Sequence, residues 1–266
     1  MKRILFTKRF PVIVLAVLLN LMIGRPAAAS GLFGPLQTVS RQDGGVNTAI
    51  GYWYHEDIYK NGAEHVVRQN QIYSQAAYGG KNIWEMYARI GMSDMKAFDV
   101  FSSADASTVT NKDNFEENWR FFGSLGAKGF YPINKIFGVG AFIQGTYYSG
   151  NYTDDVSGTS SGTPFTAELK IKNLWDVNFG AGFQITFPRG IKFYLGPYIY
   201  YSEADLSLTA NIAGLEYGTV DVSVKNKTII GGFTGMDIPL IKGFHLNVEG
   251  QFAERFSAGA AISYTY

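Results

Sequence analysis

From Trp175 to Phe187 the chain alternates without a break. Odd positions carry Trp175, Val177, Phe179, Ala181, Phe183, Ile185 and Phe187, and even positions carry Asp176, Asn178, Gly180, Gly182, Gln184 and Thr186. Successive side chains of a strand point to opposite faces, so a strand separates the two sets where a helix would mix them. The run is 13 residues long, about twice the ~5–6 typical of strands in globular proteins. The pattern recurs at Trp84, Met86, Ala88 and Ile90 against Glu85, Tyr87 and Arg89. It recurs again at Trp119 to Lys128, Phe137 to Tyr147, Phe193 to Ser202 and Phe244 to Phe252. One face is bulky and apolar, with Trp, Tyr or Phe near its ends. The other is polar, charged or glycine. A secreted β-sandwich would turn the apolar face inward; a transmembrane barrel turns it to lipid and lines its lumen with the polar face. Strand length, terminal aromatics and glycines on the polar face (Gly138, Gly140, Gly180, Gly182, Gly196) favour the barrel.

Turn chemistry divides the chain. Gly79–Asn82, Tyr131–Lys135, Pro188–Gly190 and Pro239–Gly243 are short and rich in Gly, Pro or Asn, and each lies between alternating segments. Four such turns separate five hairpins, which predicts ten strands: 46–59, 63–78, 83–95, 116–130, 136–152, 167–187, 191–208, 220–238, 244–254 and 257–266. Eight or twelve are the alternatives, because 63–78 alternates poorly. The opposite end carries two long polar connections, Lys96 to Phe115 and Thr153 to Pro164, and a third, less polar one around Thr209 to Thr219. Short turns on one side and longer loops on the other is the asymmetry of outer-membrane barrels. The fold class is therefore all-β, a single closed antiparallel transmembrane β-barrel over residues 46–266.

The chain ends on an alternating strand with Ile262, Tyr264 and Tyr266 on one face. This ending resembles the assembly signal of bacterial outer-membrane barrels. With the period-two strands, the chain resembles the broad family of small OmpA-like and opacity-like outer-membrane barrels, by pattern rather than by a diagnostic motif. The resemblance implies the fold, an outer-membrane location with both mature termini in the periplasm, and recognition of the last strand by barrel-assembly machinery. Outer-membrane lipid and lipopolysaccharide are the other expected partners. It implies no single activity.

The N-terminus has the layout of a secretory signal peptide: Lys2, Arg3, Lys8 and Arg9, an apolar run from Phe10 to Ile23, then Ala27-Ala28-Ala29. Cleavage after Ala29 leaves a periplasmic lead-in over 30–45. It also removes five basic residues and no acidic ones, leaving 18 Lys+Arg against 22 Asp+Glu, a net charge of −4. That balance offers no basic patch for phosphates, so no nucleic-acid partner is expected. The chain has no cysteine, which excludes disulfides, thiolate metal sites and cysteine nucleophiles. Only 17% of residues are charged and 15% are aromatic, which is incompatible with intrinsic disorder.

Candidate chemistry is sparse. His55, Asp57 and His65 flank the first upper connection, and closure around Lys60 to Gly62 would set Asp57 opposite His65. A carboxylate beside an imidazole is the minimum for general-base work. Gly158–Gly162 matches G-x-S-x-G, but no helix follows to make the elbow that exposes such a serine. The glycines at 138 and 140 lie mid-strand and form no phosphate loop; no metal site or cofactor is expected. Glu85, Arg89, Arg120, Lys128, Asp176, Lys192 and Glu249 fall on polar faces and are expected to line the lumen. With Tyr194, Tyr198 and Tyr200 also inward, a filled or very narrow lumen is expected. The leading reading is a non-enzymatic outer-membrane barrel with a structural, surface-interaction or narrow-channel role and an unnamed extracellular ligand. The alternatives are a rim-sited hydrolase of lipid or peptide, and a passive small-solute porin.

Overall fold

A computed structural model describes residues 32–37, 44–61, 63–81, 83–102, 108–227, 230–254 and 256–266. The expected signal peptide, residues 1–29, lies outside them. The described chain is one antiparallel sheet that closes on itself. Its strands are β1 (Gly45–Asn61), β2 (Ala63–Gly80), β3 (Trp84–Ala97), β4 (Thr108–Thr110), β5 (Phe115–Pro132), β6 (Phe137–Tyr148), β7 (Tyr152–Ser160), β8 (Thr163–Thr186), β9 (Lys192–Ile212), β10 (Leu215–Asn226), β11 (Ile230–Pro239), β12 (Phe244–Phe252) and β13 (Phe256–Thr265).

Two rings are stacked along the barrel axis. The lower ring has the ten expected members: β1, β2, β3, β5, β6, β8, β9, β11, β12 and β13, closed by β13 against β1 from Asn47↔Thr265 to Tyr54↔Ala258. The upper ring has eight, and strands are exchanged to make it. Above Tyr148, β7 replaces β6 as the partner of β8. Above Ile199, β10 replaces β11 as the partner of β9, then reaches across to β1 at Tyr59↔Asn226 and Lys60↔Lys225. The seam between β5 and β7 is closed by side chains, Thr153 N–H donating to Glu117 at 2.9 Å and Glu116 N–H to Asp154 at 2.8 Å.

This corrects four expectations. The segment 136–152 is broken at 149–151, and Thr153 to Pro164 is a strand hairpin rather than a loop. The segment 220–238 is two strands, not one. The connection around Thr209 to Thr219 is also a hairpin, turning at Ala213 and Gly214, both with positive φ. Each of these hairpins stands above the membrane band, its outer face polar and its inner face giving Val156, Leu169, Ile171 and Val224 to a buried apolar cluster. The β7 half is mostly Thr, Asp, Ser and Gly, so it reads as loop in the sequence although it forms a ladder with β8.

The exterior reads as a membrane protein. Ile50, Ile72, Met86, Ile90, Leu125, Ile143, Phe179 and Ile262 are large apolar residues pointing outward, and Ile90 and Leu125 are more than 70% exposed. Aromatics bracket this belt. Tyr78, Trp84, Tyr131, Phe137, Phe187, Phe244 and Tyr266 lie at the lower edge, and Trp119, Phe121, Tyr147 and Phe252 at the upper edge. On β5 the belt runs from Phe121 to Tyr131, 11 residues, which matches the ~9–11 of a tilted transmembrane strand. Above it the wall turns polar: Asp94 accepts from the backbone and side-chain N–H groups of Asn70, opposite a bulge in β5. That outward polar pair explains why β2 alternates poorly.

Candidate functional site

Seven inward aromatics meet glycines on the neighbouring strand. Tyr73 lies over Gly51, Tyr87 over Gly126, Phe130 over Gly140, Phe142 over Gly180, Tyr194 over Gly235, Tyr198 over Gly231 and Trp53 over Gly259. In most of these pairs a Cβ on the glycine would fall 2.2–2.5 Å from the facing ring, inside van der Waals contact. Rings laid flat along the wall occupy the lumen without protruding across it. This is the physical reason for alternating small and aromatic residues on the inner face.

The remaining space in the lower lumen is taken by the chain itself. Residues 32–37 lie inside the barrel, with Phe33 and Leu36 fully buried. Their neighbours are Phe130, Phe142, Tyr194, Tyr198, Tyr200 and Phe233. The Phe33 ring lies 4.0 Å from that of Phe142 and meets Phe233 edge-on at 5.5 Å. The backbone of this short plug has no ladder partner, so the wall supplies its hydrogen bonds. Glu249 accepts from Phe33 N–H at 2.9 Å and Gly34 N–H at 2.8 Å. Arg89 donates to Leu32 O at 2.5 Å, Lys128 to Pro35 O at 3.3 Å, and Gln184 accepts from Gln37 N–H at 3.0 Å. The lead-in was expected outside the barrel in the periplasm. Residues 32–37 are instead within it, and residues 38–43 lie outside the described residues.

Of the seven residues expected in the lumen, Glu85, Arg89, Lys128, Asp176 and Glu249 are buried, and Lys192 is nearly so. Arg89 is held by Gln75 at 2.7 Å and Gln144 at 2.9 Å, with its guanidinium between the rings of Tyr73 and Tyr87 at 4.8 and 4.9 Å. Lys128 pairs with Glu85 and Lys192 with Asp237, both at 3.9 Å. Asp176 accepts from Asn178 at 2.9 Å. The exception is Arg120, which has lumen parity but lies above the belt. Its side chain is 42% exposed and pairs with Glu117 at 3.1 Å. Asp237 was missed as a lumen group, although it alternates with Met236 and Ile238 and was readable as such; Gln144, on the polar face of its strand in the sequence, is buried.

Within the upper ring the lining changes. Tyr59, His65, Val67, Met95, Ala97, Val100, Leu169, Ile171, Leu174, Ala204, Leu206 and Val224 enclose an apolar cavity of about 100 Å³. The two polar tips on this wall are turned to protein partners. Tyr59 Oη lies 2.7 Å from Ser202 Oγ, and His65 Nδ1 lies 3.4 Å from Phe98 O. The cavity was not legible in the sequence. Its apolar residues come from six segments; only Ala97 and Val100 lie in a stretch expected as polar loop, and the others sit on expected strands that only the closed barrel brings together.

The rim candidates do not assemble as expected. The first hairpin turns one residue later than predicted, pairing Asp57 with Val67 and Tyr59 with His65. His55 and Asp57 point into the barrel and are buried. His55 Nδ1 lies 3.3 Å from Ser257 Oγ, which is itself fully buried, and Asp57 accepts from Ile58 N–H at 2.7 Å. A serine and a histidine enclosed by the wall offer no approach to a lipid or peptide chain. The G-x-S-x-G match is the β7–β8 hairpin: Ser161 and Gly162 take positive φ in a two-residue turn, and Ser160 Oγ lies 3.0 Å from Thr108.

No family model matches the chain, and no curated protein matches its sequence. Solved outer-membrane barrels resemble it in shape. The translocator domain of the autotransporter NalP from Neisseria meningitidis is 13% identical with a TM-score of 0.45, covering 84% of this chain and 88% of that one. The outer-membrane protease OmpT from Escherichia coli is 12% identical with a TM-score of 0.43, covering 84% and 95%. An outer-membrane channel from Pseudomonas putida F1 is 12% identical with a TM-score of 0.44, covering 89% and 100%. A translocator, a protease and a channel have little in common beyond the barrel, so the role of this chain has to be read from its own lumen.

Proposed function

We propose that the protein is an integral outer-membrane barrel with a narrow-channel role, closed at rest by its own N-terminal segment and open to solute only from its upper end. The observation that carries this reading is the seating of Phe33 and Leu36, fully buried, with the plug backbone held by Glu249, Arg89, Lys128 and Gln184. A barrel that served only as an anchor could fill its lumen with wall side chains, as the aromatic–glycine pairs already do in part. A separate segment bound through hydrogen bonds is a part that can move. The lipid-facing belt, the secretory layout of residues 1–29 and the ending on Ile262, Tyr264 and Tyr266 support the outer membrane as its compartment. Under this reading the lower end faces the periplasm, and the last strand is handed to the assembly machinery.

Planar-bilayer recording tests this. The intact mature barrel is expected to pass no steady ion current, and a variant lacking residues 32–37 is expected to show discrete conductance steps. Steady conductance by the intact barrel would replace this reading with the passive porin; silence of both would favour a purely structural or surface role.

A further inference from the structure

We infer that the apolar cavity in the upper ring is a binding site for a small, uncharged, hydrocarbon-like molecule, about the size of a single aromatic ring. The inference rests on the proposed intake from the upper end and names what that end would take. Three observations carry it. The cavity is lined by Val67, Met95, Ala97, Leu169, Ile171 and Val224 among others, and the two polar tips on its wall are already turned to Ser202 and to Phe98 O. A solute bringing a charge or several hydroxyls would lose its water and find no partner. The volume, about 100 Å³, is of the order of an apolar protein cavity known to stay dry and accept benzene.

The setting is the third observation. Many of the ionic groups on the upper strands are paired with one another: Lys172 with Asp221 at 3.7 Å, Lys225 with Glu203 at 3.6 Å, Lys170 with Glu168, and Lys227 with Glu64 and Glu254 at 2.9 and 2.8 Å. Paired charges create no field of one sign to draw in an ion. Tyr59, His65, Val100 and Leu206 are only partly buried while Met95, Ala97, Leu174 and Ala204 are fully so. The cavity therefore has a closed floor and a side that meets solvent. The upper ring, narrowed from ten strands to eight, places this apolar surface above the belt, where lipid cannot be what fills it from the side.

The test uses the full mature barrel in lipid nanodiscs, with fluorobenzene as the probe and ¹⁹F line broadening as the readout. Binding is expected to be saturable above empty nanodiscs, displaced by toluene and not by benzoate. Ala97→Phe and Ala204→Phe fill the cavity from opposite walls, and each is expected to weaken fluorobenzene binding at least tenfold. Unchanged binding in either correctly assembled variant, or equal displacement by benzoate, would overturn the assignment. So would a co-purified acyl chain found seated in the cavity, which would make it a lipid site. If neither variant assembles, the toluene-against-benzoate competition on the unmodified barrel still decides. Failure here is separable from failure of the channel reading. A silent barrel that binds no fluorobenzene sinks this site alone, and a conducting barrel that binds it sinks the closed lumen alone.

Discussion

The carboxylate of Glu249 on β12 lies 2.9 Å from the amide nitrogen of Phe33, 216 positions earlier in the chain. The same group accepts from Gly34 N–H at 2.8 Å and Tyr194 Oη at 2.9 Å. One side chain thus ties the plug to two strands of the wall. Hydrogen bonds to a charged group are worth ~1.5–3 kcal/mol each. Glu249→Ala is therefore expected to destabilise the barrel by about 3–5 kcal/mol and to give conductance bursts, while Glu249→Gln, which keeps one acceptor, loses about half as much. Urea unfolding in lipid vesicles beside bilayer recording measures both. An alanine variant as stable and as silent as the parent would mean that Glu249 does not hold the plug.

Gly235 tests the aromatic–glycine packing. A Cβ there would fall 2.3 Å from Tyr194 Oη, displacing the tyrosine that also bonds Asn247 and Glu249. Gly235→Ala is expected to cost ~1–3 kcal/mol, the range for overpacking. The same change at Gly129, where a Cβ meets nothing within 4 Å, is expected to be near neutral. The same unfolding assay compares them, and equal costs would remove ring stacking as the reason for glycine on the inner face.

Phe179 and Tyr131 test the lipid belt by depth. Both point outward, Phe179 at mid-belt and Tyr131 at its lower edge. Arginine is expected to cost ~2–4 kcal/mol at the first and ~0–1 kcal/mol at the second. Gln184 is not a useful comparison on the inner face, because it is buried against Gln37 and arginine there would push on the plug. If Phe179→Arg were tolerated as well as Tyr131→Arg, the outward apolar stripe would not face lipid.

Orientation is tested by single cysteines, which are clean probes in a chain that has none of its own. Val109 on β4 and Ile241 in the β11–β12 turn are both exposed, at opposite ends of the barrel. On intact cells a membrane-impermeant reagent is expected to label Val109→Cys, and to label Ile241→Cys only after the outer membrane is breached. The reverse pattern would turn the barrel over.

How much the sequence revealed follows from how each part is solvated. Strands with lipid on one side and a packed lumen on the other must alternate, so the ten-strand ring and its inner charges were readable, from Glu85 to Glu249. The upper strands β4, β7 and β10 have no lipid face; Val220, Val222 and Val224 of β10 still alternate with Asp221, Ser223 and Lys225, but β7 offers only Tyr152 and Val156 among Thr, Asp, Ser and Gly, too little to read as a strand. Arg120 kept lumen parity but rose past the belt, so parity alone misplaced it. The partner of Asp57 was missed because moving a hairpin turn by one residue moves every cross-strand partner by two. The plug is six described residues with no ladder and no periodicity. Its signal lay in the wall, where Glu249 and Gln184 present acceptors that the plug backbone uses.

The position of Leu36 tests the account most directly. In the structure its side chain is fully buried among Phe33, Phe130 and Phe142, so a cysteine there should be out of reach from either end of the barrel. Leu36→Cys in sealed vesicles is expected to stay unlabelled by a small maleimide added to both sides, to react once the protein is unfolded, and to react without unfolding when Glu249→Ala is added. Ile241→Cys, in the exposed lower turn, sets the rate of an open site. Labelling of Leu36→Cys at that same rate in the folded barrel would contradict the account: the segment would not sit in the lumen, and the lumen would not be closed by it.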